Sequence, residues 1–266
     1  AGIATFSNIA LEGLVGSKTI SAEILTPSSF STSGAVSLSF GDAAQVTLER
    51  AAAGAANRSA FTTQPQVALR DSAGNLVTGT AATIVYTASP NAALTLASAA
   101  VSTSNGIATF AFSSIRGTIG SYTISYSVSG ASASSIASVS QTLTLTHGVA
   151  ASYAFVQQPT TARAGISLSE AVVIKVVDAE GNLVSTGNHS TGSAILSTDV
   201  ATTSLSGTLT ATFSAGIATF SNLAVTGSTS AAVRLYANYV VPYLNGFGNS
   251  SLFSLTAGVP NRLAIL

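Results

Sequence analysis

Gly2-Ile-Ala-Thr-Phe6 returns as Gly106-Ile-Ala-Thr-Phe110 and again as Gly216-Ile-Ala-Thr-Phe220, at spacings of 104 and 110 residues. A second string keeps the same step: Asp71-Ser-Ala-Gly-Asn75-Leu-Val-Thr78 recurs as Asp178-Ala-Glu-Gly-Asn182-Leu-Val-Ser185, 107 residues on. A third set, Gly41-Asp-Ala-Ala44, Gly148-Val-Ala-Ala151 and Gly258-Val-Pro-Asn261, steps by 107 and 110. A period of that length is too long for one turn of a solenoid and suits a small independent domain. The markers predict a partial module over 1–40, whole modules over 41–147 and 148–257, and the opening strand of another over 258–266. The chain has no Met, even at position 1, so the expectation is a processed product or a segment of something longer.

Within each module the pattern is β. Val67-Ala-Leu-Arg70, Ala82-Thr-Ile-Val-Tyr-Thr87, Tyr122-Thr-Ile-Ser-Tyr126, Thr142-Leu-Thr-Leu145 and Val172-Val-Ile-Lys-Val-Val177 are rich in β-branched and aromatic residues. Several of them alternate apolar with polar, which puts one face in a core and one in water. Gly, Asn, Ser and Pro punctuate them at the short intervals of a β-sandwich, and no stretch has capped helical periodicity. About seven strands fit a whole module. The modules meet through His147-Gly148 and Ala257-Gly258, too short for flexible tethers, so the sandwiches are expected end to end as a rod.

Asp-x-x-Gly-Asn-Leu-Val, followed by Gly-Ile-Ala-Thr-Phe-Ser-Asn-Leu-Ala-Val and by Gly-Ser-Tyr-Thr-Ile, resembles the tandem bacterial immunoglobulin-like repeats, related to invasin-type domains, of very large prokaryotic surface proteins. The resemblance covers nearly the whole chain. It implies an all-β fold of tandem immunoglobulin-like sandwiches with partial modules at both ends, an extracellular load-bearing or spacing role, and no catalytic residue.

Composition agrees with that setting. Only 7% of residues are charged, against about 25% in an ordinary soluble domain. Nine basic residues balance nine acidic ones, which leaves no field to draw nucleic acid or anionic lipid. No run of roughly 18 apolar residues could cross a membrane as a helix. With no Cys there is no disulfide, thiolate nucleophile or Cys-based zinc site.

Candidate sites are few. Asp71 and Asp178 read as caps of tight turns whose Gly takes positive φ; calcium, with Asp71, Asp178 and Glu180 as ligands, is the alternative, short of the six or more oxygens such an ion takes. No other metal and no cofactor is expected. His147 and His189 fall at non-equivalent module positions, and Asp178 with Glu180 is the only close acid pair, so no catalytic set is assembled and no enzyme is expected. The aromatic of Gly-Ile-Ala-Thr-Phe, at Phe6, Phe110 and Phe220, is expected to plug each core.

The loop joining the last two strands differs in every copy, and in the third it carries Tyr236, Tyr239, Tyr243 and Phe247. Aromatics on such a loop are either interface residues or the end of the core. Asn57-Arg-Ser59, Asn188-His-Ser190 and Asn249-Ser-Ser251 are acceptor triplets for N-glycosylation. Together these predict an extracellular structural protein, a building block of a surface layer, sheath, fibre or adhesin stalk, whose partners are copies of itself or neighbouring modules, with glycans as further partners. The alternative is an adhesin module that binds a protein or glycan through the aromatic loop.

Overall fold

A computed structural model of the protein describes residues 3–25, 28–90, 95–130, 135–239 and 247–260. Among them there is no α-helix, and a three-residue 3-10 turn, Asn188–Ser190, interrupts a succession of strands. No helix among the described residues is long and apolar enough to cross a membrane. The chain forms two compact units. One comprises Ala1–Ala55, Ala60–Ile115 and Ser121–Thr144; the other takes in Ala56–Ser59, Arg116–Gly120 and Leu145–Leu266.

The first unit is an immunoglobulin-like sandwich. One sheet has Gln66–Asp71 between Ala43–Arg50 and Ile107–Thr109, both antiparallel to it. The other runs Ala55–Ala56, Val139–Thr146, Gly120–Val128, Thr83–Ser89, Ala100–Ser102. Strict alternation along Gly120–Val128 turns Tyr122, Ile124, Tyr126 and Val128 inward, and Leu143 and Leu145 follow the same rule on the next strand. The core is built on aromatics. Phe110 meets Tyr86 edge-on at 5.7 Å, a geometry that adds to the burial of the rings, and Tyr126 at a tilt at 5.8 Å.

Those two tyrosines are held differently. The Tyr86 hydroxyl shares its one proton between the carbonyls of Ala97 and Ser114, at 2.8 and 3.1 Å, while burial pushes its pKa up to about 12. The Tyr126 hydroxyl is buried with no hydrogen-bond partner.

The second unit repeats the plan. Val172–Asp178 pairs antiparallel with Ala150–Gln157 and Ile217–Phe220. On the facing side lie Ser193–Thr198, Thr210–Thr212 and Leu235–Tyr239, together with Phe253–Thr256, which pairs parallel with Thr161–Arg163. The core joins Ile174, Val176, Leu196, Phe213, Phe220, Leu235 and Phe253, with Tyr153 stacked on Phe213 at 5.5 Å.

Phe110 and Phe220 are the expected core plugs, 1% and 0% exposed, but Phe6 is 68% exposed. Residues 3–6 belong to no strand, whereas the other copies pair with the strand that leads into the Asp-x-x-Gly-Asn turn. None of the strands that cover Phe110 and Phe220 has a counterpart around Phe6 among the described residues, so this copy has nothing to plug. Beyond it the chain forms a long antiparallel hairpin, Gly16–Leu25 with Ser28–Leu38. Of the opening strand expected over 258–266, residues 261–266 lie outside the described residues.

Candidate functional site

The two Asp-x-x-Gly-Asn turns are fastenings as well as turns. In the first, Asp71 Oδ1 accepts from the N–H groups of Ala73 and Asn75 at 3.0 and 2.8 Å, which closes the turn. Gly74 sits at φ 88°, a region that favours glycine. Asp71 Oδ2 accepts from the N–H of Gly41 at 2.9 Å and so ties down the residue that opens the repeat. The same oxygen takes one Asn75 Nδ2 bond, at 2.9 Å. The Asn75 amide then reaches outward: Nδ2 donates to Gly13 O and Oδ1 accepts from Val15 N, both at 2.9 Å.

The second turn repeats these contacts one for one. Asp178 Oδ1 accepts from Glu180 N and Asn182 N at 2.9 Å, and Oδ2 accepts from Gly148 N at 2.9 Å. Asn182 Nδ2 donates to Gly117 O at 2.9 Å, and Asn182 Oδ1 accepts from Ile119 N at 3.1 Å. Each Asn thus grips a carbonyl and the amide two residues on, in the loop that follows the Gly-Ile-Ala-Thr-Phe copy before it. All four side chains are buried. Buried amides and carboxylates with every position used hold the geometry tightly, since leaving one unpaired costs about 1–3 kcal/mol.

Electrostatics follow from those donors. The Gly41 N–H, then the Asn75 amide and the turn N–H groups, hold the Asp71 carboxyl below its ordinary value. Burial alone would raise Asp178; the N–H of Gly148, the Asn182 side chain and the N–H groups of Asn182 and Glu180 outweigh it and lower the pKa. Both carboxylates are acceptors with their oxygens already occupied by N–H groups. Glu180 points elsewhere, to Arg58 Nε at 2.7 Å, and among the described residues no three metal-ligating side chains gather.

Asn57 bonds the same Gly117 that Asn182 holds and does not lie on an exposed loop. Its Oδ1 accepts from Gly117 N at 2.8 Å and its Nδ2 donates to Gly117 O at 2.9 Å. At 2% exposure the amide has no room for a glycan, which corrects the reading of Asn57 as an acceptor. Asn188 and Asn249 are both exposed. His147 also lies here, its ring nitrogens 2.9 Å from Gly148 O and 2.8 Å from Thr186 Oγ1.

The aromatic loop is brought together only in part. Tyr236 is half-buried on the strand Leu235–Tyr239, opposite Ser197 and Asn249, and Phe247 is 60% exposed. Tyr239 ends that strand, and Tyr243 lies outside the described residues.

Sequence reading missed the outward reach of Asn75 and Asn182. The signal lay in the partner loop: a Gly stands 11 residues after the first Gly of each Gly-Ile-Ala-Thr-Phe copy, at Gly13, Gly117 and Gly227. These take φ 136°, 144° and 137°, so each presents its carbonyl from a backbone that other residues rarely adopt.

The fold is that of a tandem immunoglobulin-like β-sandwich chain. No family model matches the sequence, and no curated protein matches it. Among solved structures it is similar to the Escherichia coli adhesin FdeC, at 19% identity over 84% of this chain and 67% of that one, with a TM-score of 0.35. It is also similar to invasin, a bacterial integrin-binding protein, at 16% identity over 91% of this chain and 46% of that one, with a TM-score of 0.38. The surface-layer protein SbsC, domains 1–6, is 13% identical over 92% of this chain and 36% of that one, with a TM-score of 0.29.

Proposed function

We propose that this chain is an extracellular structural array, part of a surface layer, sheath, fibre or adhesin stalk, with repeats at 1–40, 41–147, 148–257 and from 258 onward. The observation that carries the reading is the joint itself. The same Asp and Asn, on the same turn, make the same set of bonds to the head of their own repeat and to the loop of the repeat before. A catalytic or ligand-binding site needs such precision once; a stack of modules needs it at every junction. Glycans are carried, in this reading, at Asn188 and Asn249. The low charge of the surface supports lateral packing, because few ions lose their water when such surfaces meet.

The second reading, a recognition module, draws on the exposure of Phe247. Sedimentation of the full chain over a range of concentrations separates the two. Self-association that survives Phe247→Ser supports the structural array. A chain that stays monomeric at every concentration sinks it and leaves the recognition module.

A further inference from the structure

The sequence holds two Asp-x-x-Gly-Asn turns and three copies of the loop such a turn grips. Gly13 with Val15 is held by Asn75, and Gly117 with Ile119 by Asn182. The third pair, Gly227 with Thr229, stands in the same register, 11 and 13 residues after Gly216. Gly227 shares the backbone of the other two, at φ 137° against 136° and 144°. Unlike Gly117, which is buried in its joint, residues 227–229 are exposed. Gly227 lies opposite Thr203 in the sheet, yet the N–H of Thr203 donates to Val200 O at 2.9 Å, so the strand pairing does not use the Gly227 carbonyl.

The head of the joint is in place as well. Gly258 follows Phe253–Thr256 as Gly148 follows Val139–Thr146. In both cases a glycine is required, because an added Cβ would strike a backbone carbonyl, Asn57 O for Gly148 and Ala164 O for Gly258. The loop residue that supplies this carbonyl is anchored the same way, by Asn57 N to Thr146 O at 3.1 Å and by Ala164 N to Thr256 O at 2.9 Å.

We propose that Gly227 O, Thr229 N and Gly258 N form an open socket for the Asp-x-x-Gly-Asn turn of a further folded repeat that begins at Gly258. The Asn of that turn donates its Nδ2 to Gly227 O and accepts from Thr229 N. Its Asp accepts from Gly258 N, as Asp71 and Asp178 do from glycines 30 residues before them. One contact is missing from this socket. Asn57, which adds two bonds to Gly117, is matched by Ala164, so at the third joint the incoming Asn alone grips Gly227. The proposal rests on the geometry of the existing joints and not on the extracellular role, and its failure leaves that role to be judged by self-association.

The test extends the full chain by its own sequence, joining a second copy of residues 149–266 after Gly258, and follows amide hydrogen exchange. Exchange at Thr229 and Gly258 is expected to slow at least about tenfold relative to the unextended chain, since each N–H passes from water to a buried acceptor. Asn182→Ala in the added copy alone should return Thr229 to its original rate while Gly258 stays protected; Asp178→Asn in that copy should mainly release Gly258. The amide of Asn182 in the added copy, protected only when its own turn closes, reports whether that repeat has folded. A folded added repeat with Thr229 exchanging as before overturns the proposal. So does an added repeat that fails to fold there, because Val15 and Ile119 stand in the same setting in front of repeats that do.

Discussion

At the residue scale, two positions in each repeat divide the work of one turn. The aspartate's cap on its own turn was legible, because Asp-x-x-Gly is a capped turn whatever surrounds it; its bond to the glycine 30 residues earlier was not. The asparagine's was not: its side chain satisfies its own turn and a loop some 60 residues earlier, and no local pattern shows the second partner. Asn182→Ala leaves Ile119 N without its acceptor and is expected to cost about 1–3 kcal/mol in denaturant unfolding of the second unit. Asp71 and Asp178 have folded-state pKa values below the ordinary 3.8, so their contribution is complete above that value and is lost as pH falls through the lowered ones. Asp71→Asn and Asp178→Asn should therefore flatten the loss of stability below about pH 4, which acid titration of the melting temperature measures. The paired tyrosines give a sharper contrast. Tyr86→Phe removes a hydroxyl that two carbonyls use and should destabilise by about 1 kcal/mol, whereas Tyr126→Phe removes a buried hydroxyl without a partner and should be neutral or stabilising. A Tyr126→Phe variant that unfolds as early as Tyr86→Phe refutes the assignment.

At the element scale, the strands were the most legible feature, because alternation along Tyr122-Thr-Ile-Ser-Tyr126 has one physical solution: one face in the core. The parallel pairing of Thr161–Arg163 with Phe253–Thr256 was not legible, since each segment alone is a short β-prone run and only the closed sandwich brings them together. The Gly-Ile-Ala-Thr-Phe strand shows both sides of this. Sequence makes its three copies equal, yet burial separates Phe6 from Phe110 and Phe220, because the contribution of a phenyl ring depends on the strands that face it. Phe220→Ala is expected to cost about 3–5 kcal/mol through lost transfer energy and a cavity. Phe6→Ala, with its ring already in water, should fall within about 0.5 kcal/mol of wild type. Urea unfolding of the two variants checks the pair, and equal losses would mean that residues 3–6 are packed against a core after all.

At the scale of the whole molecule, the first 40 residues combine two opposite effects. Ile3, Phe6, Ile9, Leu14 and Ile24 are all exposed, which is apolar surface that favours association. Charge contributes little to that association, because nine cations and nine anions are spread over 266 residues, so it should change little between low and moderate salt. The same segment supplies Gly13 and Val15, the outer partners of Asn75. A chain that begins at Gly41 should thus aggregate less and yet have a less stable first unit, with the second unit unchanged. The loss should resemble that of Asn75→Ala, since both remove one pair of bonds, apart from the Asn75 bond to Asp71 that survives truncation. The two changes share an interaction and should not add: Asn75→Ala ought to cost about 1 kcal/mol less in the shortened chain than in the full one. A double-mutant cycle on the denaturant midpoint of the first unit measures this. Full additivity would show that residues 13–15 do not rest on Asn75 in solution, and the fastening role of the asparagine would fall with it.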